Sequence, residues 1–209
     1  MGNLKKISAQ SAFVLMIIFL LIPYFPMIFF KFYMSSIIEV VLSILCYIIA
    51  ILLCIVYCLI FDSRRNKTIA IIIILAAPLL FFIVGTEANK IGERIFLNKN
   101  EQKLNKLVAE VKKHEKIRYF YNYKDYGTFI KRDTINNPSI NEKDYTDLKT
   151  KLEEIKATSY SIPLDGTIYF VLDGFIGDDE GIAYSTVENP SSKPGIWRNI
   201  KDNWYYYLD

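Results

Sequence analysis

Four acidic side chains gather in one short segment of this chain: Asp173, Asp178, Asp179 and Glu180, in LDGFIGDDEG. Carboxylates this close could hold calcium or share acid/base work. An EF-hand loop needs oxygen ligands at alternating positions, and Phe175 and Gly177 stand where two of them belong. Glycosidase carboxylates face each other across a cleft from separate elements. With Gly174, Gly177 and Gly181 free to take unusual backbone angles, the segment reads as a solvated acidic turn at a hairpin end.

The same part of the chain is loaded with rings: Tyr119, Phe120, Tyr121, Tyr123, Tyr126, Trp197, Trp204, Tyr205, Tyr206 and Tyr207. Tyr and Trp anchor interfaces because they join apolar area to a polar tip. If 204–207 is a strand, successive rings point to opposite faces, so some of them leave the core. The candidate binding surface is therefore Asp173, Asp178, Asp179, Glu180, Trp197, Trp204 and Tyr206.

Cys46, Ala50, Cys54 and Cys58 recur every four residues, which puts them on one stripe of a helix. A thiolate metal site wants tetrahedral ligands, usually with more Cys or His. The only histidine, His114, lies in the charge run KKHEK, far along the chain. The stripe reads as small side chains that let a neighbouring helix approach. No cysteine lies in the C-terminal part, so no disulfide framework is expected there. His114 between lysines on an exposed helix does not read as a catalytic base. GxSxG, HExxH, P-loop and GxGxxG patterns are absent from the sequence. No catalytic residue, cofactor or metal is expected.

The elements that must position these residues begin with three uncharged runs, 12–30, 40–61 and 69–85. As helices they span roughly 25 to 33 Å, which matches a hydrocarbon core of about 30 Å. Pro23 and Pro26 should bend the first run near Tyr24 and Phe25, and Pro78 the third. Glu39, in the first turn of the second, reads as an interfacial cap. Lys5 and Lys6 precede an apolar run as in a signal peptide, but no small-residue cleavage pattern follows it, so the span is expected to stay. Residues 87–116 repeat Ile91, Ile95, Leu104, Leu107, Val108 and Val111 at three- and four-residue steps, an amphipathic stalk.

Beyond the stalk, strands are expected at 117–123, 128–131, 167–172, 182–186 and 204–208, with a turn at 124–127, a loop at 136–141 and a short edge strand at 159–164 demoted by Pro163. Residues 143–156 form a helix with Tyr145, Leu148, Leu152 and Ile155 on one face. Chain reversals are expected at 165–166 and 178–181, a loop at 189–195 and one helical turn at 197–200. The fold class is a membrane all-α region of three transmembrane helices plus a stalk, followed by a small α+β domain with an antiparallel sheet. The division is 1–86, 87–116 and 117–209.

Charge divides along the same line. Residues 1–116 carry 14 Lys+Arg against 7 Asp+Glu, and 117–209 carry 11 against 15. A basic membrane-proximal part suits anionic headgroups, and an acidic distal part excludes nucleic acid as a partner. Lys5, Lys6, Arg64, Arg65 and Lys67 against Lys31, Lys90, Arg94 and Lys99 slightly favour a cytoplasmic N-terminus and an extracytoplasmic C-terminal domain. The expected address is the cytoplasmic membrane of a bacterium. The expected role is a multi-pass membrane protein presenting a non-catalytic binding or sensing domain to a protein partner, immunity-like or an accessory envelope subunit. The alternatives are a membrane-anchored enzyme using the acidic hairpin from Asp173 to Glu180, and a homo-oligomeric structural or pore protein.

Overall fold

The computed structural model describes residues 2–32, 36–60, 63–114, 117–121, 142–175, 178–192 and 194–209. They fall into two compact units, Met1–Gly92 and Glu93–Asp209.

In the first unit α1 (Gly2–Leu21) stops just before Pro23, and α2 (Tyr24–Phe29) restarts from it. Pro23 offers no N–H to the preceding turn and clashes with it, but its helical φ of −59° suits the start of a new helix. The break thus falls just ahead of the expected bend. The helices α3 (Ser36–Ile60) and α4 (Arg64–Lys113) follow. The third span and the stalk are one helix, with Pro78 inside it. Ala12 and Met16 of α1, Ala50, Cys54 and Tyr57 of α3, and Ala70 and Ile74 of α4 form one buried cluster. Small side chains at four of these seven positions bring the helix axes close. Gly92 shows how close: a Cβ there would overlap the carbonyl oxygen of Met27. The outward faces are apolar too, with Leu59 78%, Leu75 72% and Phe82 74% exposed. Three helices are long and apolar enough to cross a membrane, by length and composition.

The second unit is an antiparallel six-stranded sheet with helices α4 and α5 (Glu142–Glu154). Its strands are β1 (Tyr119–Tyr121), β2 (Ser159–Ser161), β3 (Ile168–Phe175), β4 (Asp178–Tyr184), β5 (Ile196–Lys201) and β6 (Trp204–Leu208), in the order β1-β2-β3-β4-β6-β5. One register row crosses all six strands: Phe120, Tyr160, Phe170, Ile182, Tyr206 and Arg198. This inner row meets the helices. Tyr145 of α5 lies 5.6 Å from Phe120, and Leu148 and Leu152 of α5 and Leu104, Leu107 and Val111 of α4 are fully buried. Lys151 of α5 donates to Glu110 of α4 at 2.5 Å. That hydrogen bond, joined by Lys113, holds the Glu110 carboxyl below its usual range against the opposing effect of burial.

Several expectations are corrected. Residues 197–200 form strand β5 rather than a helical turn, because Asp202, at φ 49°, closes a hairpin into β6 and Asn199 bonds the Asp202 carbonyl at 2.8 Å. Residues 178–181 belong to β4 rather than to a turn, since pairing with β3 continues out to Phe175 and Asp178. The strand β2 is interior, flanked by β1 and β3, and ends before Pro163 could interrupt a ladder. Ile91 and Ile95 are exposed, whereas Phe96 and Leu97 are buried. The expected turn at 124–127, strand at 128–131 and loop at 136–141 lie outside the described residues, as do Tyr123 and Tyr126.

Candidate functional site

The pleat divides the candidate surface residues whose side chains are described between opposite faces of the sheet. Glu180 and Tyr206 face the helices, and Trp204 is 3% exposed. Asp179 is exposed and Trp197 half-buried on the outer face. Asp173 is half-buried beside a β-bulge. Of Asp178 only the strand backbone is described. No single surface carries all seven.

On the inner face three of the strands converge on a buried polar network. Arg198 of β5 donates through Nη2 to both carboxylate oxygens of Glu93 on α4, at 2.5 and 2.7 Å. Its guanidinium lies 4.8 Å from the centre of the Tyr206 ring. The Tyr206 hydroxyl donates to Glu180 Oε1 at 2.9 Å. Glu93 is 2% exposed and Glu180 9%. Burial, then the charge of Glu180, pushes the Tyr206 hydroxyl well above its usual range. Glu180 and Tyr206, two candidates chosen from sequence, are thus brought together, but as structural partners.

The outer face carries a ring cluster that sequence reading only half resolves. Tyr169 meets Tyr207 edge to face at 5.0 Å and Trp197 at 6.0 Å, and Trp197 stacks on Tyr205 at 4.5 Å. Backbone and small side chains of the segment after β4 cover this cluster. Tyr169 donates to the Ser192 carbonyl at 3.0 Å and the Trp197 indole N–H to the Glu188 carbonyl at 3.1 Å. Asp165 clamps the same segment, accepting from the Ser192 amide at 2.8 Å and the Ser191 hydroxyl at 3.1 Å while also accepting from the Thr167 amide at 3.0 Å. Burial alone would raise the Asp165 carboxyl, yet the Ser192 and Thr167 donors hold it below the ordinary carboxylate range.

Other sequence candidates lie apart from both faces. Cys46 and Cys54 are buried and Cys58 half-buried, all as free thiols, with Ala50 and Cys54 inside the helix cluster of the first unit. His114 is half-buried, not exposed: its Nε2 lies 3.4 Å from Glu110 and 4.0 Å from Asp144, because α5 packs beside the end of α4. Among the described residues no three of His, Cys, Asp and Glu converge as metal ligands.

Sequence reading missed Glu93, Arg198, Asp165 and Tyr169, and named Tyr207 only among the rings. One signal was present: Glu93 stands three and four residues before Phe96 and Leu97, so a charge sits on the buried stripe of α4. Comparison of the chain with family models, curated proteins and solved structures finds no match.

Proposed function

We propose that this chain is an integral membrane protein whose second unit recognises a protein partner and does not catalyse a reaction. The observation that carries the membrane placement is the outward apolar surface of the first unit. Val40 and Val41, each 58% exposed, Leu75 at 72% and Phe82 at 74% are ordinary against lipid and costly against water. Three apolar spans with a slight positive-inside bias give a cytoplasmic N-terminus and an extracytoplasmic second unit. Recognition is favoured by the outer sheet face, where Asp179 and Asp209 are exposed and Trp197 is half-buried. An immunity-like protein or an accessory envelope subunit fits this arrangement.

Alkaline carbonate washing of membranes reads the first half: the protein should stay with the pellet, and release into the wash would refute the spans. A reporter fused after Asp209 should be active only outside the cytoplasm. Affinity capture from mild detergent should recover one partner in fixed stoichiometry, and recovery of none removes the recognition role.

A further inference from the structure

One turn before Pro78, the carbonyl of Ile74 loses its ordinary helical partner. Proline carries no N–H, and its ring presses on the carbonyl four residues back. Yet α4 runs on through Pro78 as one helix. The Tyr47 hydroxyl of α3 donates to that same Ile74 carbonyl at 3.0 Å. A neighbouring helix thus supplies the hydrogen bond that Pro78 withholds.

The pairing is selective. The hydroxyls of Ser43, Thr68 and Thr86 each turn back to the carbonyl four residues earlier in their own helix. Such bonds add a second donor to a carbonyl that a helical N–H already serves. Tyr47 instead reaches across 27 positions to the carbonyl whose N–H donor Pro78 has removed. At Pro26 the equivalent gap is closed locally, the Phe25 N–H bonding the Ile22 carbonyl at 3.1 Å. Ile74 itself is buried in one cluster with Ala50 and Cys54 of α3, so the two helices are packed together where the bond crosses.

We propose that Tyr47 and Pro78 form a hinge latch within the membrane: Pro78 opens the hydrogen-bond ladder of α4, Tyr47 closes it, and this one side-chain bond decides whether α4 is stiff or free to bend there. The inference rests on the membrane placement proposed above, because hydrocarbon leaves the Ile74 carbonyl no water to turn to. Proline marks where a helix kinks, and the partner given to the freed carbonyl fixes the kink. An unbroken ladder opens only by moving backbone. This latch opens by a rotation of one tyrosine side chain.

Spin labels at Ile69→Cys and Ile83→Cys, both exposed and about 21 Å apart along the axis, flank Pro78. Pulsed electron paramagnetic resonance of the full-length protein in neutral detergent, with Cys46, Cys54 and Cys58 changed to Ala, reads the spread of their separation. A narrow distribution is expected with Tyr47 in place, a broader one in Tyr47→Phe, and a narrow one again in Pro78→Ala/Tyr47→Phe, where a restored N–H serves Ile74. A width unchanged by Tyr47→Phe overturns the latch, as does equal broadening by Tyr47→Phe with and without Pro78. Maleimide labelling of Cys54, which shares the buried cluster with Ile74, gives a second reading in the Cys46→Ala/Cys58→Ala background. It should run several-fold faster in Tyr47→Phe, yet no faster in Pro78→Ala/Tyr47→Phe than in Pro78→Ala. Should Tyr47→Phe fail to insert, recovery on adding Pro78→Ala supports the latch and continued failure overturns it. Carbonate washing reads the placement separately: retention with no coupling between Tyr47 and Pro78 removes the latch and keeps the spans, and release with coupling intact does the reverse.

Discussion

Replacing Arg198 by Met should cost the second unit about 3 kcal/mol. The substitution keeps most of the side-chain volume and deletes the guanidinium, so the carboxylate of Glu93, 2% exposed, loses the Nη2 donor that reaches both its oxygens. Removing one member of a buried pair typically costs about 3–5 kcal/mol, most of it from the charge left behind. The Arg198 side chain is 32% exposed, so water reaches that end of the pair and the low end of the range applies. Glu93→Met should be milder, about 1 kcal/mol, because the freed guanidinium can turn to solvent while a buried carboxylate cannot. The double variant Glu93→Met/Arg198→Met should lie close to Glu93→Met alone, since neither charge of the pair remains. Near-UV circular dichroism in neutral detergent isolates this unit because both tryptophans, Trp197 and Trp204, belong to it. For a unit of this size about 3 kcal/mol lowers Tm by roughly 10–15 °C. A shift of only a degree or two in Arg198→Met, or a larger loss in Glu93→Met than in Arg198→Met, would refute the asymmetry on which the estimate stands.

Three further outcomes follow from single contacts. Gly92→Val should disrupt the first unit by about 1–3 kcal/mol, because its Cβ meets the Met27 carbonyl; faster maleimide labelling of Cys54 is the readout, and unchanged labelling would count against the close approach. Cys46→Ala/Cys54→Ala/Cys58→Ala should insert normally and lose about 1 kcal/mol or less per site, since the stripe is packing; failure to insert, or loss of a bound metal, would reverse that reading. Asp165 has a depressed folded pKa, so its stabilisation is present above the unfolded value of about 3.9 and fades as pH falls through the lower folded value. Asp165→Asn should therefore be destabilised by about 1 kcal/mol at neutral pH, a modest figure because solvent reaches the clamp, and the gap to wild type should narrow in acid; thermal melts at pH 7 and pH 2.5 check the sign.

The parts of the fold legible in the sequence are those where one period dominates. Uncharged runs mark the helices of the first unit, Leu148 and Leu152 mark α5, and Ile168–Leu172 and Trp204–Leu208 are apolar enough to announce β3 and β6. The parts that resist reading are those where a residue answers to a distant partner. Arg198 interrupts the alternation of β5, and its presence on the inner face makes sense only with Glu93, 105 positions earlier. Gly181 resembles a turn residue, yet it sits mid-strand because an added Cβ would overlap the Phe170 carbonyl oxygen of the neighbouring strand. The candidate surface was chosen from composition, and composition carries no face. Neighbours in a strand point in opposite directions, so Asp179 and Glu180 part company, as do Tyr206 and Tyr207.

This division governs how substitutions in the second unit are to be interpreted. On the inner face Trp204 packs at 6.3 Å from Phe170 and 5.2 Å from Tyr184, and Tyr206 and Glu180 belong to the ion-pair network. Truncating a buried Trp costs about 3–5 kcal/mol, a large share of the stability of a unit this size, so loss of function in Trp204→Ala reports unfolding and says nothing of recognition. On the outer face Asp179 and Asp209 are exposed, and changing them to Asn removes a repulsion and opens no cavity. These are the positions where lost function at full stability identifies a contact with another molecule. Between the two lies Trp197, half-buried, stacked on Tyr205 and tied to the Glu188 carbonyl, so Trp197→Phe, which keeps the stacked ring and deletes the indole N–H, separates its packing from its bonding.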